Sequence, residues 1–245
     1  MEKLSIIILT KNNENTISYS LESSKFADEI IVIDSGSSDK TLDIVKSFNV
    51  RLIEQEWLGY SKQKQLGVDL AKNDWVLVLD SDEEITDALK EEIKNTLVNP
   101  KKDGYYVPRK NIYFGKMLNY GLYPDRHIRL FNKTKGSFNG RDVHESVKID
   151  GKVGYLKNYM IHYAYTTIDE CIDKFNEYST LGAKNNLLKR LVSPNWIFFK
   201  MYILKLGFLD GWHGFITAKL YKEYTFWKYT KADKRFQTNF KKEVK

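Results

Sequence analysis

Three short apolar runs, separated by segments with helical patterning, constrain the fold of this chain more than any other feature. The runs Leu4–Leu9, Glu29–Ile33 and Trp75–Leu79 are rich in aliphatic and β-branched residues, as strands buried on both faces are. Helices are expected between them, at 15–25, 40–48 and 60–72. Strands that alternate with helices of about 10–15 residues indicate right-handed crossovers. The sequence therefore predicts an α/β fold with a mostly parallel central sheet flanked by helices.

Each apolar run ends in a polar cluster, and ligands of open α/β sheets bind at the carboxyl ends of the strands. The clusters are Thr10-Lys11-Asn12, Asp34-Ser35-Gly36-Ser37 and Asp80-Ser81-Asp82. Mg²⁺ and Mn²⁺ are typically held by one or two carboxylates together with substrate phosphates. We therefore predict a metal-bound nucleotide, with Asp82 as the direct ligand and Asp80 facing the ribose or a metal-bound water. The chain lacks GxGxxG and GxxxxGK[ST], which argues against a dinucleotide oxidoreductase and a P-loop NTPase.

The bulk composition restricts the classes of partner. A formal net charge of +7 favours anionic partners. Nucleic acid is not expected, because the basic residues are dispersed and no nucleic-acid-binding fingerprint is present. The single cysteine, Cys171, excludes an internal disulfide and a Cys-based zinc site and favours a reducing compartment. No signal peptide and no spanning helix are expected, since no apolar run approaches about 18 residues.

Six segments together resemble the family 2 glycosyltransferases, which have the GT-A fold. They are LSIIILTKNN (4–13), EIIVIDSGSSDKT (29–41), WVLVLDSDE (75–83), DRHIRL (125–130), GRDVHESV (140–147) and Asn195–Gly211. The last three are similar to the bacterial lipopolysaccharide-core β-1,4-glucosyltransferase subgroup. The resemblance implies an inverting, metal-dependent enzyme that uses Mg²⁺ or Mn²⁺. It would move a hexose, glucose by this resemblance, from a UDP-sugar to a lipopolysaccharide or lipooligosaccharide core acceptor.

The resemblance also implies roles for donor-site residues. Thr10, Asn12 and Asp34 would line the uracil pocket, and Asp34 would accept a hydrogen bond from the base. Asp80 and Asp82 match the nucleotide and metal carboxylates of the family. Gln63 and Lys64 lie on the helix before the strand at Trp75–Leu79, where similar proteins carry Gln-Lys or Gln-Arg. Lys64 would reach a phosphate, or it belongs to a solvated helix face.

An inverting transfer needs a carboxylate base that takes the acceptor proton as the hydroxyl attacks. Asp142 and Glu145 are the candidates, and Glu145 is favoured because it matches the His-Glu pair of the subgroup. His144 would orient the acceptor or stabilise the leaving diphosphate. Arg126 and Arg129 are expected to clamp a phosphate or to pair with nearby carboxylates.

The implied domains are a GT-A catalytic domain over 1–165 and a helical extension over 166–245. Within the first, 1–100 would bind the nucleotide sugar and 101–165 the acceptor. The tail mixes aromatic residues with lysines, which suits a helix in the membrane interface, a packing face on the catalytic domain, or a homo-oligomer contact. The lipid-linked saccharide acceptor that the resemblance implies favours the membrane interface. The protein would then be a cytoplasmic bacterial protein, peripheral on the inner membrane.

Three alternatives stay open on the sequence. The acceptor could be another surface glycan, a capsule or a protein. A sugar nucleotidyltransferase shares the parallel sheet and the metal-bound nucleotide, but Thr10-Lys11-Asn12-Asn13-Glu14 lacks the glycine-rich loop of that class. An inactive transferase-like scaffold is disfavoured by the retained Asp34, Asp80, Asp82 and Glu145.

Overall fold

A computed structural model describes residues 1–140 and 146–236. The chain divides into two compact units. The first comprises Met1–Arg109 and Asp125–Tyr163, and the second comprises Lys110–Pro124 and Ala164–Lys245. The first unit is therefore discontinuous along the sequence.

The amino-terminal part of the first unit has the predicted parallel sheet. Its strands are β1 (Leu4–Thr10), β2 (Glu29–Asp34), β3 (Arg51–Glu54) and β4 (Trp75–Asp80), in the order β3-β2-β1-β4. The pairs β1–β2, β2–β3 and β1–β4 are all parallel. The connecting helices are α1 (Ile17–Ser24), α2 (Thr41–Lys46) and α3 (Tyr60–Leu70). The predicted α/β fold class is confirmed.

Beyond β4 the sheet continues with mostly antiparallel pairs, and β11 pairs parallel to β6. The elements are β5 (Glu83–Ile85), α4 (Asp87–Val98), β6 (Gly104–Tyr113), β7 (Lys116–Met117), β8 (Asp125–Asn132), β9 (Gly136–Phe138), β10 (Val147–Ile149), β11 (Val153–Tyr155) and β12 (Met160–Tyr165). The full order is β3-β2-β1-β4-β8-β6-β12-β5, with β7 and β11 also paired to β6. β8 runs antiparallel to both β4 and β6. β9 and β10 form a separate two-stranded sheet.

The segment 153–165 contains two strands, β11 and β12. The chain leaves the sheet between them because its backbone finds other partners. The amides of Lys157 and Asn158 both donate to the Glu92 carboxylate, at 2.8 Å. The carboxylate thus replaces the strand partner these amides would otherwise need.

The central strands are buried on both faces, and alternate residues enter separate cores. Ile6 and Ile8 of β1 pack with Leu21 of α1 on one face. Ile7 of β1 packs with Val68 of α3 on the other. This explains why β1 reads as a continuous apolar run and not as an alternating one.

The second unit is largely helical. Its later elements are α5 (Ile168–Leu181), α6 (Leu187–Phe199), a π-helical turn (Lys200–Leu204), a 3₁₀ turn (Gly207–Asp210), α7 (Trp212–Thr230) and a second 3₁₀ turn (Lys234–Phe236). Helices α5 and α6 are separate, with a break over 182–186. The Asn186 side chain caps a new helix by accepting from Lys189 N at 2.9 Å, and α6 then runs through Pro194. Across residues 1–140 and 146–236, no helix is long and apolar enough to cross a bilayer.

Candidate active site

The register of the parallel strands brings the three predicted polar clusters to one edge of the sheet. Thr10 at the end of β1 lies opposite Asp34 of β2. On the other side of β1, Leu9 lies opposite Asp80 of β4. The carboxyl ends of these strands therefore place the Thr10, Asp34 and Asp80 clusters side by side, as the sequence predicts.

The loop after β2 is built around the Asp34 carboxylate. Oδ2 accepts from the amides of Gly36 and Ser37 at 2.8 and 2.9 Å, and the Ser37 hydroxyl donates to Oδ1. Gly36 has φ +85°, a conformation that side-chain-bearing residues rarely adopt. Asn12, itself at φ 53°, joins this loop to the one after β1 because its Oδ1 accepts from Ser38 N at 2.8 Å. The strand-end loops are thus held by their own polar side chains.

Two other predicted donor-site residues have contrasting environments. The Thr10 hydroxyl is buried and has no hydrogen-bond partner in the described part of the chain. Gln63, fully buried on α3, donates to Ser35 Oγ at 3.0 Å and to Gln55 O at 3.3 Å. Gln63 therefore ties α3 to the loops after β2 and β3, whereas Thr10 has spare hydrogen-bonding capacity at the sheet edge.

Asp80 is held between two cations. Lys64 Nζ lies 3.0 Å from Oδ1, and Arg129 Nη2 lies 2.9 Å from Oδ2. Burial alone raises the pKa of Asp80, but the charges of Lys64 and Arg129 outweigh it and hold the pKa well below its ordinary value. Lys64 is a buried ion-pair partner here and not part of a solvated helix face. Of the two roles expected for Arg129, the structure shows pairing with carboxylates.

Glu83, which the sequence analysis did not single out, is the hub of a buried charge network. Its Oε1 lies 2.6 Å from Arg129 Nη2 and 3.0 Å from Arg109 Nη1, and the side chain is fully buried. Its Oε2 accepts from the Asp80 amide at 3.0 Å. Arg109 continues the network to Asp125 at 2.7 Å. Glu83 thus fixes both the backbone and the cationic partner of Asp80.

Asp125 ends this network at the surface. It accepts from Arg109 and lies 2.9 Å from His127 Nε2. Burial raises the pKa of Asp125, but the His127 hydrogen bond and the Arg109 charge hold it well below its ordinary value. Arg126, by contrast, contacts the ring of Tyr155, 5.9 Å from its centroid, away from the Asp80 cluster. Only Arg129 of the predicted arginine pair reaches that cluster.

Asp82 has a different environment from Asp80. Its Oδ1 is buried and has no hydrogen-bond partner within the described residues. Its Oδ2 lies 3.5 Å from Nε2 of His162, a residue that the sequence analysis missed. The Asp82 carbonyl accepts from Tyr163 N at 2.8 Å, which fixes β12 beside the carboxylate. A buried carboxylate oxygen without a donor, next to an imidazole, is a suitable donor set for a divalent cation.

A metal ion at this edge of the sheet would have few protein ligands. No group of three or more His, Cys, Asp or Glu side chains suited to a metal ion occurs in 1–140 and 146–236. Asp82 and His162 therefore fit a cation whose remaining ligands come from substrate phosphates and water, which is how Mg²⁺ is usually bound. The predicted catalytic residues Asp142, His144 and Glu145 lie outside the described residues.

The first unit thus joins a parallel half-sheet with clustered strand-end carboxylates to a half in which β8 runs antiparallel. The model of "Glycosyl transferase family 2" matches residues 5–164, and the chain belongs to this family. A Rickettsia typhi protein described as an uncharacterized glycosyltransferase is 31% identical over 243 residues, covering 90% of this chain and 83% of that protein. The Rhizobium meliloti lipopolysaccharide core biosynthesis glycosyltransferase LpsC is 30% identical over 244 residues, covering 91% and 89% respectively.

Solved structures agree on the fold. The crystal structure of S. aureus TarS 1-349 superposes with a TM-score of 0.50 at 17% identity, covering 93% of this chain and 89% of that one. At this identity the likeness concerns the fold alone. The expected family and fold class, with a helical carboxyl-terminal region, are thereby confirmed.

Proposed function

We propose that this glycosyltransferase moves a hexose, glucose in the first instance, from a UDP-sugar to a lipopolysaccharide or lipooligosaccharide core acceptor with inversion. The observation that carries the proposal is the strand-end edge on which Thr10, Asp34, Asp80 and Asp82 converge. The acceptor class is supported by the similarity to LpsC, a protein named for lipopolysaccharide core biosynthesis. In this proposal residues 1–100 bind the donor, 101–165 bind the acceptor, and 166–245 form the helical extension.

The donor-binding roles divide along the sheet edge. Thr10 and Asn12 bind the uracil together with Asp34, whose carboxylate is already oriented by the Gly36 and Ser37 amides. Asp80 faces the ribose, and Lys64, whose Nζ lies 3.0 Å from Asp80 Oδ1, reaches a phosphate of the donor. Gln63 supports this site through the loops after β2 and β3, and Arg129 keeps Asp80 ionised.

Asp82 and His162 are proposed to hold Mg²⁺ or Mn²⁺. When bound, a divalent ion neutralises the negative charge that accumulates on the departing diphosphate. Two observations support these residues for this role. Asp82 Oδ1 has no hydrogen-bond partner within the described residues, and His162 Nε2 lies 3.5 Å from Asp82 Oδ2. Glu145, with Asp142 as its alternative, is proposed to take the acceptor proton, and His144 to orient the acceptor. Arg126 is proposed to contact the acceptor's anionic groups.

The metal role is tested by two readouts on the purified protein. Calorimetry should show Mn²⁺-dependent UDP binding that Asp82→Asn and His162→Ala weaken and that Asp87→Asn leaves unchanged, because Asp87 is exposed and pairs only with Lys90. UDP release should fall at least about 100-fold in Asp82→Asn, since Lewis-acid stabilisation is worth several kcal/mol. Full turnover of Asp82→Asn under EDTA would refute the metal role.

The base is tested separately. Glu145→Gln should nearly abolish transfer while leaving UDP-sugar binding intact, because a proton acceptor is lost and not a donor contact. If Glu145→Gln retains turnover and Asp142→Asn loses it, the base is Asp142. The sugar is identified by a thermal-shift panel of UDP-sugars with Mn²⁺, since the true donor stabilises the fold most.

The acceptor is tested with inner-core saccharides against other glycans. UDP release that depends on a capsule, another surface glycan or a protein acceptor would favour that alternative. Release of pyrophosphate from a nucleoside triphosphate would favour the nucleotidyltransferase, and absence of nucleotide-sugar binding would favour an inactive scaffold. We propose that the core acceptor is lipid-linked. The protein would bind it as a peripheral protein at the cytoplasmic face of the inner membrane.

A further inference from the structure

Helix α6 in the second unit carries large apolar side chains on its solvent-exposed side as well as on its packed side. Toward α7 it buries Arg190, which donates to Tyr229 O at 3.0 Å and pairs with Asp233 at 2.8 Å. Away from α7 it exposes large apolar side chains. A surface helix of a globular protein normally turns its apolar stripe inward. The exposed apolar side of α6 therefore implies contact with something other than water.

The exposed residues form a continuous helical stripe. Leu188, Val192, Trp196, Phe199 and Ile203 follow one another at intervals of three or four residues, the spacing of one helix face, and all are exposed. We call these five residues the outer stripe. Leu188 is 72% exposed, and the Trp196 and Phe199 rings lie 6.0 Å apart. The segment that follows is also apolar and open, with Trp212 exposed by 77%.

The charges around the outer stripe are of one sign. Lys189 and Lys200 are exposed on α6 and on the turn that follows it. The one acidic residue between Leu187 and Trp212 is Asp210, which is buried and accepts from the amides of Asn119 and Tyr120. The apolar surface is therefore accompanied by exposed lysines without exposed carboxylates.

We propose that the outer stripe inserts into the interface of an anionic lipid bilayer, with Lys189 and Lys200 at the headgroups. Aromatic and aliphatic side chains beside lysines suit this depth, where apolar parts leave water and cations face anionic lipid. A second copy of the chain fits less well. A two-fold contact on this face would bring lysine toward lysine with no exposed carboxylate of the segment Leu187–Trp212 to offset them. The outer stripe adds a membrane-binding surface to the proposed function. It depends on that function only for the lipid-linked acceptor.

The test is sedimentation of the full chain with vesicles, without donor or acceptor. The protein should partition onto phosphatidylglycerol-containing vesicles and only weakly onto pure phosphatidylcholine, and the binding should fall as NaCl is raised. Leu188→Glu/Trp196→Glu should lower the partition coefficient at least about 100-fold, because each apolar anchor contributes roughly tenfold or more. Lys189→Gln/Lys200→Gln should lower it about 25-fold on anionic vesicles.

The matched control is Asn95→Glu/Val98→Glu, which makes the same change of charge at two exposed residues of α4 in the first unit. It should bind vesicles like the wild type. Circular dichroism and UDP release with a water-soluble acceptor should be unchanged in all three double variants. If the wild type binds vesicles but releases no UDP, the proposed function is refuted and the proposed membrane-binding surface is not.

Three results would refute the proposal that the outer stripe binds a membrane. One is wild-type protein that stays in solution with both vesicle types. Another is an outer-stripe variant that binds as well as the control. The third is a wild-type dimer, seen by analytical ultracentrifugation, that Leu188→Glu/Trp196→Glu dissociates while no vesicle binding occurs, which would make a second copy the occupant.

Discussion

Replacement of Glu83 by glutamine is expected to cost more stability than any exposed carboxylate change in this chain. The cluster around it contains three cations, Lys64, Arg109 and Arg129, and three carboxylates, those of Glu83, Asp80 and Asp125. Glu83→Gln keeps the size but turns one of the two accepting oxygens into an amide donor that faces other N–H donors, and it leaves one buried positive charge unmatched. Removing one partner of a buried ion pair typically costs about 3–5 kcal/mol.

The assay is urea unfolding followed by tryptophan fluorescence. The midpoint should fall while the slope with denaturant stays unchanged, because the native surface is retained. The midpoint of thermal unfolding should fall by roughly 6–20 °C for a loss of this size in a chain of this length. Trp75 on β4 is buried and so reports on the sheet that carries Asp80.

The matched control is Glu91→Gln on α4. Glu91 pairs with Lys94 at 3.0 Å, and both side chains are exposed. Because surface pairs contribute little, the loss should stay below about 0.5 kcal/mol. If Glu83→Gln costs less than about 1 kcal/mol, the buried network is not held by charge neutralisation and the reasoning fails.

Three further outcomes are expected. Burial raises the pKa of Asp80, but Lys64 and Arg129 hold it well below its ordinary value; its stabilisation is present above about pH 4 and is lost as pH falls through the lower native pKa. The difference in unfolding free energy between wild type and Asp80→Asn should thus be flat from about pH 7 to pH 5 and shrink below about pH 4. Burial raises the pKa of the Cys171 thiol to about 12, so Ellman's reagent at about pH 8 should react only after unfolding. Thr86→Ala, which removes the α4 cap, should cost about 1 kcal/mol in urea titration, and a cost near zero would refute the cap.

The donor-side geometry was predictable because it depends on local rules. Apolar runs specify buried parallel strands, and the polar residues that end them meet at one edge through the register of those strands. Asp34, Asp80 and Asp82 could therefore be singled out from spacing alone. The separate environments of Asp80 and Asp82 could not, because they depend on Lys64, Arg129 and His162.

Glu83 and His162 were missed for the same physical reason. In sequence, Glu83 reads as one more carboxylate in a turn, and His162 reads as a strand residue with no chemical signature. The antiparallel pairing of β12 with β5 sets His162 opposite Glu83 and beside Asp82, although about 80 residues separate them. Contacts of such long separation leave no local pattern. Arg129, four residues after Asp125 on β8, was the available hint that a buried carboxylate would be needed.

The helical region illustrates a second limit. Pro194 is a local helix breaker, because proline removes an amide and crowds the preceding turn. α6 nevertheless continues through it, with Pro194 itself buried. Tertiary packing thus overrode a local breaker, as it commonly does when a helix is held along its length.

The discontinuity of the first unit has a consequence for synthesis on the ribosome. β4 can pair with β1 as soon as both have emerged, but its other neighbour, β8, ends at Asn132. At about 5–20 residues per second, the apolar far edge of β4 waits roughly 3–10 s for that neighbour. During this interval Asp80 lacks Arg129 and the strand edge is open to pairing with other chains. The interval between β4 and β8 is therefore when a nascent chain most needs a chaperone.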